Sequence, residues 1–150
     1  MPTLKFLLIP LALAAIVRFI AVSSRRQQIA VLLAWLVPGL GHVYIGRTRR
    51  GVFLAAIVVA MFIAGMIMSD FRNISPFDRH PIWGIAQIPG GLMTGIAAAL
   101  TNGLLIERDL PFYSVGCLYS SVATLLNILL MIDVYDHAEK DDIETAGATA

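Results

Sequence analysis

The composition of this 150-residue chain differs from that of a soluble domain: 58% of the residues are hydrophobic, 14% are charged and the mean hydropathy is +0.79. Soluble proteins carry about 25% charged residues, so an ordinary soluble domain is excluded. The net charge of +1 and the lack of a basic run interleaved with aromatic residues argue against a nucleic-acid partner. The single cysteine, Cys117, excludes an internal disulfide.

The charged residues are segregated from four long apolar stretches, which contain no Lys, Arg, Asp or Glu: 29–45, 52–69, 82–106 and 110–132. At about 1.5 Å per residue they would reach roughly 26, 27, 37 and 34 Å as helices, against a bilayer core about 30 Å thick. The sequence therefore predicts an all-α integral membrane bundle. It has 4 to 5 transmembrane helices, at about residues 4–22, 29–45, 52–69, 82–106 and 110–132.

The first segment, residues 4–22, is apolar apart from Lys5 and Arg18. A signal peptide and an interfacial helix are alternatives to a spanning helix. Because Arg18 directly follows the apolar core and no small-x-small cleavage site comes after it, we favour an uncleaved membrane helix. Arg18 would then extend to the headgroup region.

The second segment, residues 29–45, is interrupted by Pro38-Gly39, and proline removes a backbone donor from a helix. It is either a kinked span or a re-entrant hairpin. If it re-enters, Arg25, Arg26, Arg47, Arg49 and Arg50 lie on one face, which the positive-inside rule makes cytoplasmic. If it spans, the basic residues divide evenly and the rule gives no orientation. We favour a span, with the turn at 46–51 in the cytoplasm.

Small residues recur at every fourth position on two later segments, which lets helix backbones approach closely in a membrane. The predicted packing residues are Gly91, Gly95, Ala99, Gly103, Gly116, Ser120 and Asn127. Hydrogen bonds between helices are the simplest role for the polar members of these stripes. A polar transport pathway is the alternative.

The stretch from Pro38 to Gly51 holds most of the local information. Its turn motif comprises Pro38, Gly39, Gly41, His42, Tyr44, Gly46 and Gly51, and between the last two glycines lie Arg47, Arg49 and Arg50. These arginines either set the topology or contact anionic lipid headgroups or a protein partner.

His42 is expected to pack or hydrogen-bond within the turn, since no second ligand lies three or four residues away to form a metal pair. No catalytic residue, metal or cofactor is predicted. An intramembrane enzyme using His42 with Asp133 and Asp136 is a third hypothesis, and a separation of more than about 10 Å between His42 and both aspartates would argue against a shared metal site. Residues 1–137 are predicted to form one transmembrane domain, followed by a disordered acidic tail at 138–150.

Two blocks of sequence carry a family resemblance. The run from Ala34 to Arg47, with Arg50-Gly51, resembles the opening of an uncharacterised bacterial family of multi-pass membrane proteins, catalogued as a domain of unknown function. Tyr113–Gly116 and Leu126–Asp136 resemble the closing helix of that family. More loosely, Pro38–Arg47 is similar to the core of the two-transmembrane-helix hairpin domain. These resemblances imply a helical membrane architecture and no established activity.

The sequence therefore favours a non-enzymatic interaction or scaffold protein of the cell inner membrane. Its expected partners are membrane lipids and either a membrane-protein partner or a second copy of the chain. The alternative is a small transporter or channel subunit that uses the polar stripes of the last two helices. The sequence leaves the orientation, the partner and the oligomeric state open.

Overall fold

Every regular element is helical in the computed structural model, which describes residues 18–19, 21–72, 85–101 and 111–148. The elements are α1 (Arg25–Leu36), α2 (Leu40–Tyr44), α3 (Thr48–Met68), a 3-10 turn (Ile88–Gly90), α4 (Gly91–Thr101) and α5 (Tyr113–Ala148). No strand occurs among the described residues, and the all-α prediction is confirmed. Of the segment predicted at residues 4–22, residues 4–17 lie outside the described part.

The predicted membrane helix at residues 29–45 is instead two short helices. The chain reverses after α1 at Pro38 and Gly39, where Gly39 has a left-handed φ of 81°. Arg26 in the first turn of α1 and Arg47 after α2 both pair with the same carboxylate, that of Asp141, at 3.4 and 3.7 Å. Residues 25–46 therefore form a helical hairpin whose two ends lie at the same end of α5, and the span that we favour over 29–45 is not reproduced.

The hairpin begins at Arg25, earlier than the boundary of the apolar stretch. The Ser24 side chain accepts a hydrogen bond from the backbone N–H of Gln27, and the Gln27 side chain accepts one from the backbone N–H of Ser24. These two hydrogen bonds form a capping box. The first turn of α1 can carry Arg25 and Arg26 because it lies beside the acidic end of α5.

Glycines bring the hairpin into backbone contact with α3. A β-carbon on Gly39 would collide with the carbonyl oxygen of Gly51. One on Gly51 would lie 2.6 Å from the Gly39 carbonyl oxygen and 2.8 Å from Cβ of His42. Both substitutions would force the backbones apart, and Gly39 also needs its positive φ. The close approach of the backbones at these glycines therefore places His42 against the first turn of α3.

Helices α3 and α5 form the long pair of the fold. They cross where Gly65 meets Gly116, and a β-carbon on Gly116 would lie 2.6 Å from the Gly65 carbonyl oxygen. Their core continues along both helices and includes residues of α4: Val58, Phe62, Met66, Ala97, Ala123 and Leu130. A second cluster joins α5 to the hairpin through Ala30, Ala34, Ile45, Val134 and Ala138.

The segment predicted as one helix over 82–106 is broken at Pro89-Gly90-Gly91. The 3-10 turn ends at Gly90, Gly91 has a left-handed φ of 54° where the chain changes direction, and the described part of α4 covers Gly91–Thr101. The structure describes residues 85–101 of this segment, which form apolar helix shorter than a membrane span. Proline and two glycines explain the break, since they remove a donor and permit left-handed backbone.

Helix α5 is longer than the predicted 110–132. It continues through the acidic segment to Ala148, so residues 138–148 are helical rather than a disordered tail. Val134 and Ala138 continue the buried stripe of α5, and the carboxylates of Asp141 and Asp142 are paired. Those contacts hold the acidic segment in the helix.

Two of the described helices, α3 and α5, are long and apolar enough to cross a membrane, with mean hydropathies of 2.6 and 2.0. The predicted number of four to five spans is therefore not reproduced in the described part of the chain. The apolar part of α5 ends at Ile132, and its polar part begins at Asp133.

Candidate functional site

Asp133 lies at the centre of a charged cluster at the polar end of the α3–α5 pair. Its Oδ2 atom lies 2.7 Å from Nε2 of His42, on α2. Its Oδ1 atom accepts a hydrogen bond of 2.8 Å from Nη2 of Arg50, on α3. His137, one turn further along α5, approaches the same carboxylate at 3.6 Å. We call these four residues the Asp133 cluster.

His42 donates from Nε2, because the carboxylate of Asp133 can only accept. The imidazole is completely buried, and its Nδ1 atom has no hydrogen-bond partner among the described residues. With Nε2 protonated, the neutral ring leaves only an acceptor unmatched, whereas the imidazolium would bury an unmatched donor. Because the ring has no exposed surface, its free nitrogen is not accessible from outside.

His137 takes the opposite tautomer. Its Nδ1 atom lies 2.7 Å from the backbone carbonyl oxygen of Asp133 and donates to it, since a carbonyl has no proton. Its Nε2 atom lies 3.5 Å from Nη1 of Arg50 and accepts from it, since a guanidinium is always protonated. Arg50 thus joins Asp133 and His137 in one network.

The environment keeps Asp133 charged. Burial of the carboxyl raises the pKa of Asp133, but the hydrogen bond from His42 and the charge of Arg50 lower it by more. The pKa of Asp133 therefore lies below its ordinary value, and the group is ionised at neutral pH. The cluster links the hairpin, α3 and α5 around one carboxylate.

A second set of ion pairs lies further along α5. Arg26 pairs with Asp141 and Asp142, each at 3.4 Å, and Arg47 pairs with Asp141 at 3.7 Å. The hydroxyl of Ser24 donates to Asp142 at 2.7 Å. We call these contacts the outer pairs. The three ion pairs are longer than the contacts of Asp133 with His42 and Arg50, and their side chains are a quarter to two fifths exposed.

The predicted arginine turn is only partly free. Arg50 points to the Asp133 cluster, and Arg47 belongs to the outer pairs. Arg49 is exposed, and no ion pair to it occurs within the described residues. The three arginines border an open depression of about 390 Å³ that is also lined by Gly46 and Thr48. Of the turn motif, His42 is buried, whereas Tyr44 is 45% exposed.

The tip of the hairpin is held by Asn127 of α5. Pro38 has no N–H, so the carbonyl of Ala34, four residues earlier, has no helical donor. Nδ2 of Asn127 donates to that carbonyl at 3.1 Å and to the carbonyl of Pro89 at 2.9 Å. The predicted packing residue thus connects the two proline-interrupted segments of the fold.

Neighbouring hydrogen bonds serve the same junction. The hydroxyl of Thr124 donates to the carbonyl of Ala86 at 2.7 Å, three residues before Pro89. The indole N–H of Trp35 donates to the carbonyl of Ile88 at 3.3 Å. Side chains of α5 and α1 therefore donate to backbone carbonyls beside the break at Pro89.

The other predicted packing residues have different positions. Gly91 packs against the backbone of Trp35, and Ser120 and Gly116 lie in the buried face of α5. Gly95 and Ala99 lie on the exposed face of α4, with nothing within 4 Å of a β-carbon at Gly95. Gly103 lies outside the described residues.

Sequence reasoning missed Arg26, His137, Asp141 and Asp142. It paired Asp133 with Asp136, which is exposed. The spacing of Val134, Ala138 and Asp141 continues the buried stripe of α5, and this signal could have found the acidic residues. Within the described ranges, no three His, Cys, Asp or Glu side chains are arranged to hold a metal ion.

Comparison with known families places the chain in a family without an assigned function. The chain belongs to the family of unknown function DUF6677, whose model matches residues 29–145. That range contains most of the hairpin, all of α3 and α4, and nearly all of α5. No curated protein and no solved structure matches the chain.

Proposed function

We propose that this is an integral membrane protein in which α3 and α5 cross the bilayer and residues 25–46 form a re-entrant hairpin. The length and hydropathy of α3 and α5 support the two spans. The pairing of both hairpin ends with Asp141 supports re-entry from one side. Interrupted backbone is tolerated at membrane depth where protein groups satisfy it, as Asn127 does here.

The distribution of arginines supports an orientation. With a re-entrant hairpin, the end that carries the Asp133 cluster also carries Arg25, Arg26, Arg47, Arg49 and Arg50. The positive-inside rule then makes this end cytoplasmic. We place the protein in the inner membrane of a bacterium, as the family resemblance implies.

Reporter fusions test this topology. Reporters joined after residues 28, 48 and 150 are expected to show cytoplasmic activity, and a reporter joined after residue 75 periplasmic activity. The reason is that the hairpin returns to its starting side, whereas α3 crosses the bilayer. A reporter at residue 28 on the opposite side from residue 48 would instead require the span and would contradict the hairpin.

We propose that the protein acts without catalysis, by binding anionic lipid headgroups at the arginine turn. The supporting observation is the open depression around Arg47 and Arg49 at the start of α3. The first turn of α3 has no acidic residue and no side-chain cap, so its free N–H groups also favour an anion. Each basic residue near such a surface contributes about 1 kcal/mol. We leave Arg50 out of the proposed contact because its guanidinium donates to Asp133.

The double variant Arg47→Gln/Arg49→Gln tests the lipid contact. In detergent micelles, a short-chain phosphatidylglycerol is expected to raise the thermal unfolding midpoint of the native chain more than a phosphatidylcholine does. The variant is expected to lose this difference. A matched control, Arg72→Gln/Lys140→Gln, removes two positive charges elsewhere and should keep it. Equal stabilisation of variant and native chain by phosphatidylglycerol would reject the contact.

A small transporter or channel subunit remains the second candidate. It is favoured by the meeting of two interrupted segments at Asn127, an arrangement that membrane transporters use at binding sites. If the protein is a transporter or channel, the substitution Asn127→Leu is expected to abolish the flux measured in reconstituted vesicles. The donors of Asn127 are engaged by backbone carbonyls, which supports the structural role instead.

A further partner, either another membrane protein or a second copy, is proposed for the exposed face of α4.

A further inference from the structure

The last turns of α5 are attached to the fold by polar contacts. Ala138 is the final buried residue of the helix, and residues 139–148 are intermediate or exposed. Ile143, the one large apolar side chain in this stretch, is 65% exposed. We call residues 139–148 the acidic arm. A segment with few buried apolar contacts opens more easily than the core.

The acidic arm reaches the proposed lipid surface through the outer pairs. Asp141 lies between Arg26 and Arg47, and Asp142 pairs with Arg26 and accepts from Ser24. The ion pairs measure 3.4–3.7 Å between partly exposed side chains, and such pairs contribute little net stability. The Asp133 contacts, at 2.7 and 2.8 Å, hold the rest of the helix. The arm can therefore detach while α5 stays in place.

A carboxylate and a lipid phosphate compete for the same guanidinium. Both present negatively charged oxygens to the planar N–H donors of arginine. Arg47 lines the open depression and also pairs with Asp141, so one side chain belongs to both contacts. Arg49 is exposed beside it and offers a first contact to an incoming headgroup.

We propose that the acidic arm is an intramolecular competitor for the arginine turn, which anionic phospholipids displace. This inference rests on the proposed lipid contact and adds its regulation. In a neutral membrane the arm covers Arg26 and Arg47. In an anionic membrane the headgroups take these arginines, and the arm is released into the cytoplasm.

Distance measurements between two spin labels test the displacement. The labels are placed at Val22→Cys and Ala148→Cys, both exposed positions, in a Cys117→Ala background. In nanodiscs of phosphatidylcholine we expect one short, narrow distance distribution. Adding phosphatidylglycerol should shift it to longer and broader distances. An unchanged distribution in a protein that still prefers phosphatidylglycerol would overturn the competition.

Charge-neutral variants of the arm test the competition through affinity. The double variant Asp141→Asn/Asp142→Asn is expected to bind short-chain phosphatidylglycerol in micelles about threefold to tenfold more tightly, since it lacks the competing ion pairs. The control Asp136→Asn/Glu139→Gln removes two exposed carboxylates of the same helix that form no ion pair among the described residues. An equal gain in both variants would indicate a general charge effect and overturn the proposal.

The two proposals fail in different ways. If the Asp141/Asp142 variant gains no affinity while Arg47→Gln/Arg49→Gln loses the lipid preference, the lipid contact stands and the competition is rejected. If the arginine variant keeps the lipid preference, the proposed lipid site itself is rejected. Release of the arm by 1 M salt, read from the same spin labels, reports on the outer pairs without any lipid.

Discussion

Replacing Asn127 with leucine is expected to lower the free energy of unfolding by about 2–5 kcal/mol. The amide donates to two backbone carbonyls, those of Ala34 and Pro89, and a buried acceptor left without a donor costs about 1–3 kcal/mol. Pro38 leaves the carbonyl of Ala34 no other helical donor. Unfolding by sodium dodecyl sulfate in mixed micelles, followed by circular dichroism, measures the change.

Ser121→Ala is the matched control for this variant. Ser121 is buried on the same helix, but its hydroxyl has no hydrogen-bond partner among the described residues. Removing that hydroxyl is expected to change the free energy of unfolding by less than about 1 kcal/mol. If Asn127→Leu were as mild as Ser121→Ala, the bridge from α5 to the hairpin tip would contribute nothing to stability.

Replacing Asp133 with leucine is expected to lower the free energy of unfolding by about 2–3 kcal/mol. The change leaves the buried Nε2–H of His42 without an acceptor and Arg50 without its carboxylate partner. The side chain of Asp133 is 27% exposed, so solvent reduces the loss below that of a fully buried pair. The same micellar unfolding experiment measures it.

A double-mutant cycle separates the interaction energy between His42 and Asp133 from the contribution of each residue alone. In His42→Leu/Asp133→Leu both partners are apolar, and the double variant is expected to lose less than the sum of the two single losses. Asp136→Leu is the control, because Asp136 is exposed on the same helix and lies outside the Asp133 cluster. Additive losses in the cycle would show that His42 and Asp133 do not act as a unit.

The apolar stretches predicted the helical class and the position of α3, since these depend on composition and on periodicity within one segment. The two helices long enough to cross a membrane, α3 and α5, fall on the predicted stretches 52–69 and 110–132. The Pro38-Gly39 pair also located the interruption of the second segment. The outcome of that interruption depended on partners that local reasoning cannot see.

The choice between a span and a re-entrant hairpin depended on α5. A broken segment can turn back only if another element satisfies its carbonyls, and Asn127 does so for Ala34. The hydrogen bond between His42 and Asp133 likewise joins residues that are ninety-one positions apart in the sequence. The sequence predicts a disordered tail for the acidic residues, because their arginine partners lie far away in the chain. The capping box at Ser24 was a local signal that could have moved the start of α1 to Arg25.

The hairpin is synthesised well before the residues of α5 that contact it, because the two lie far apart in the sequence. The polar contacts that fix the hairpin to α5 join residues 91 to 116 positions apart, so residues 25–46 leave the ribosome long before α5 exists. Until then the carbonyl of Ala34 and the arginines at the hairpin ends lack the groups that satisfy them in the finished fold. The hairpin can therefore make its contacts with α5 only after α5 has been translated. A nascent chain arrested before Tyr113 would lack the element that holds it.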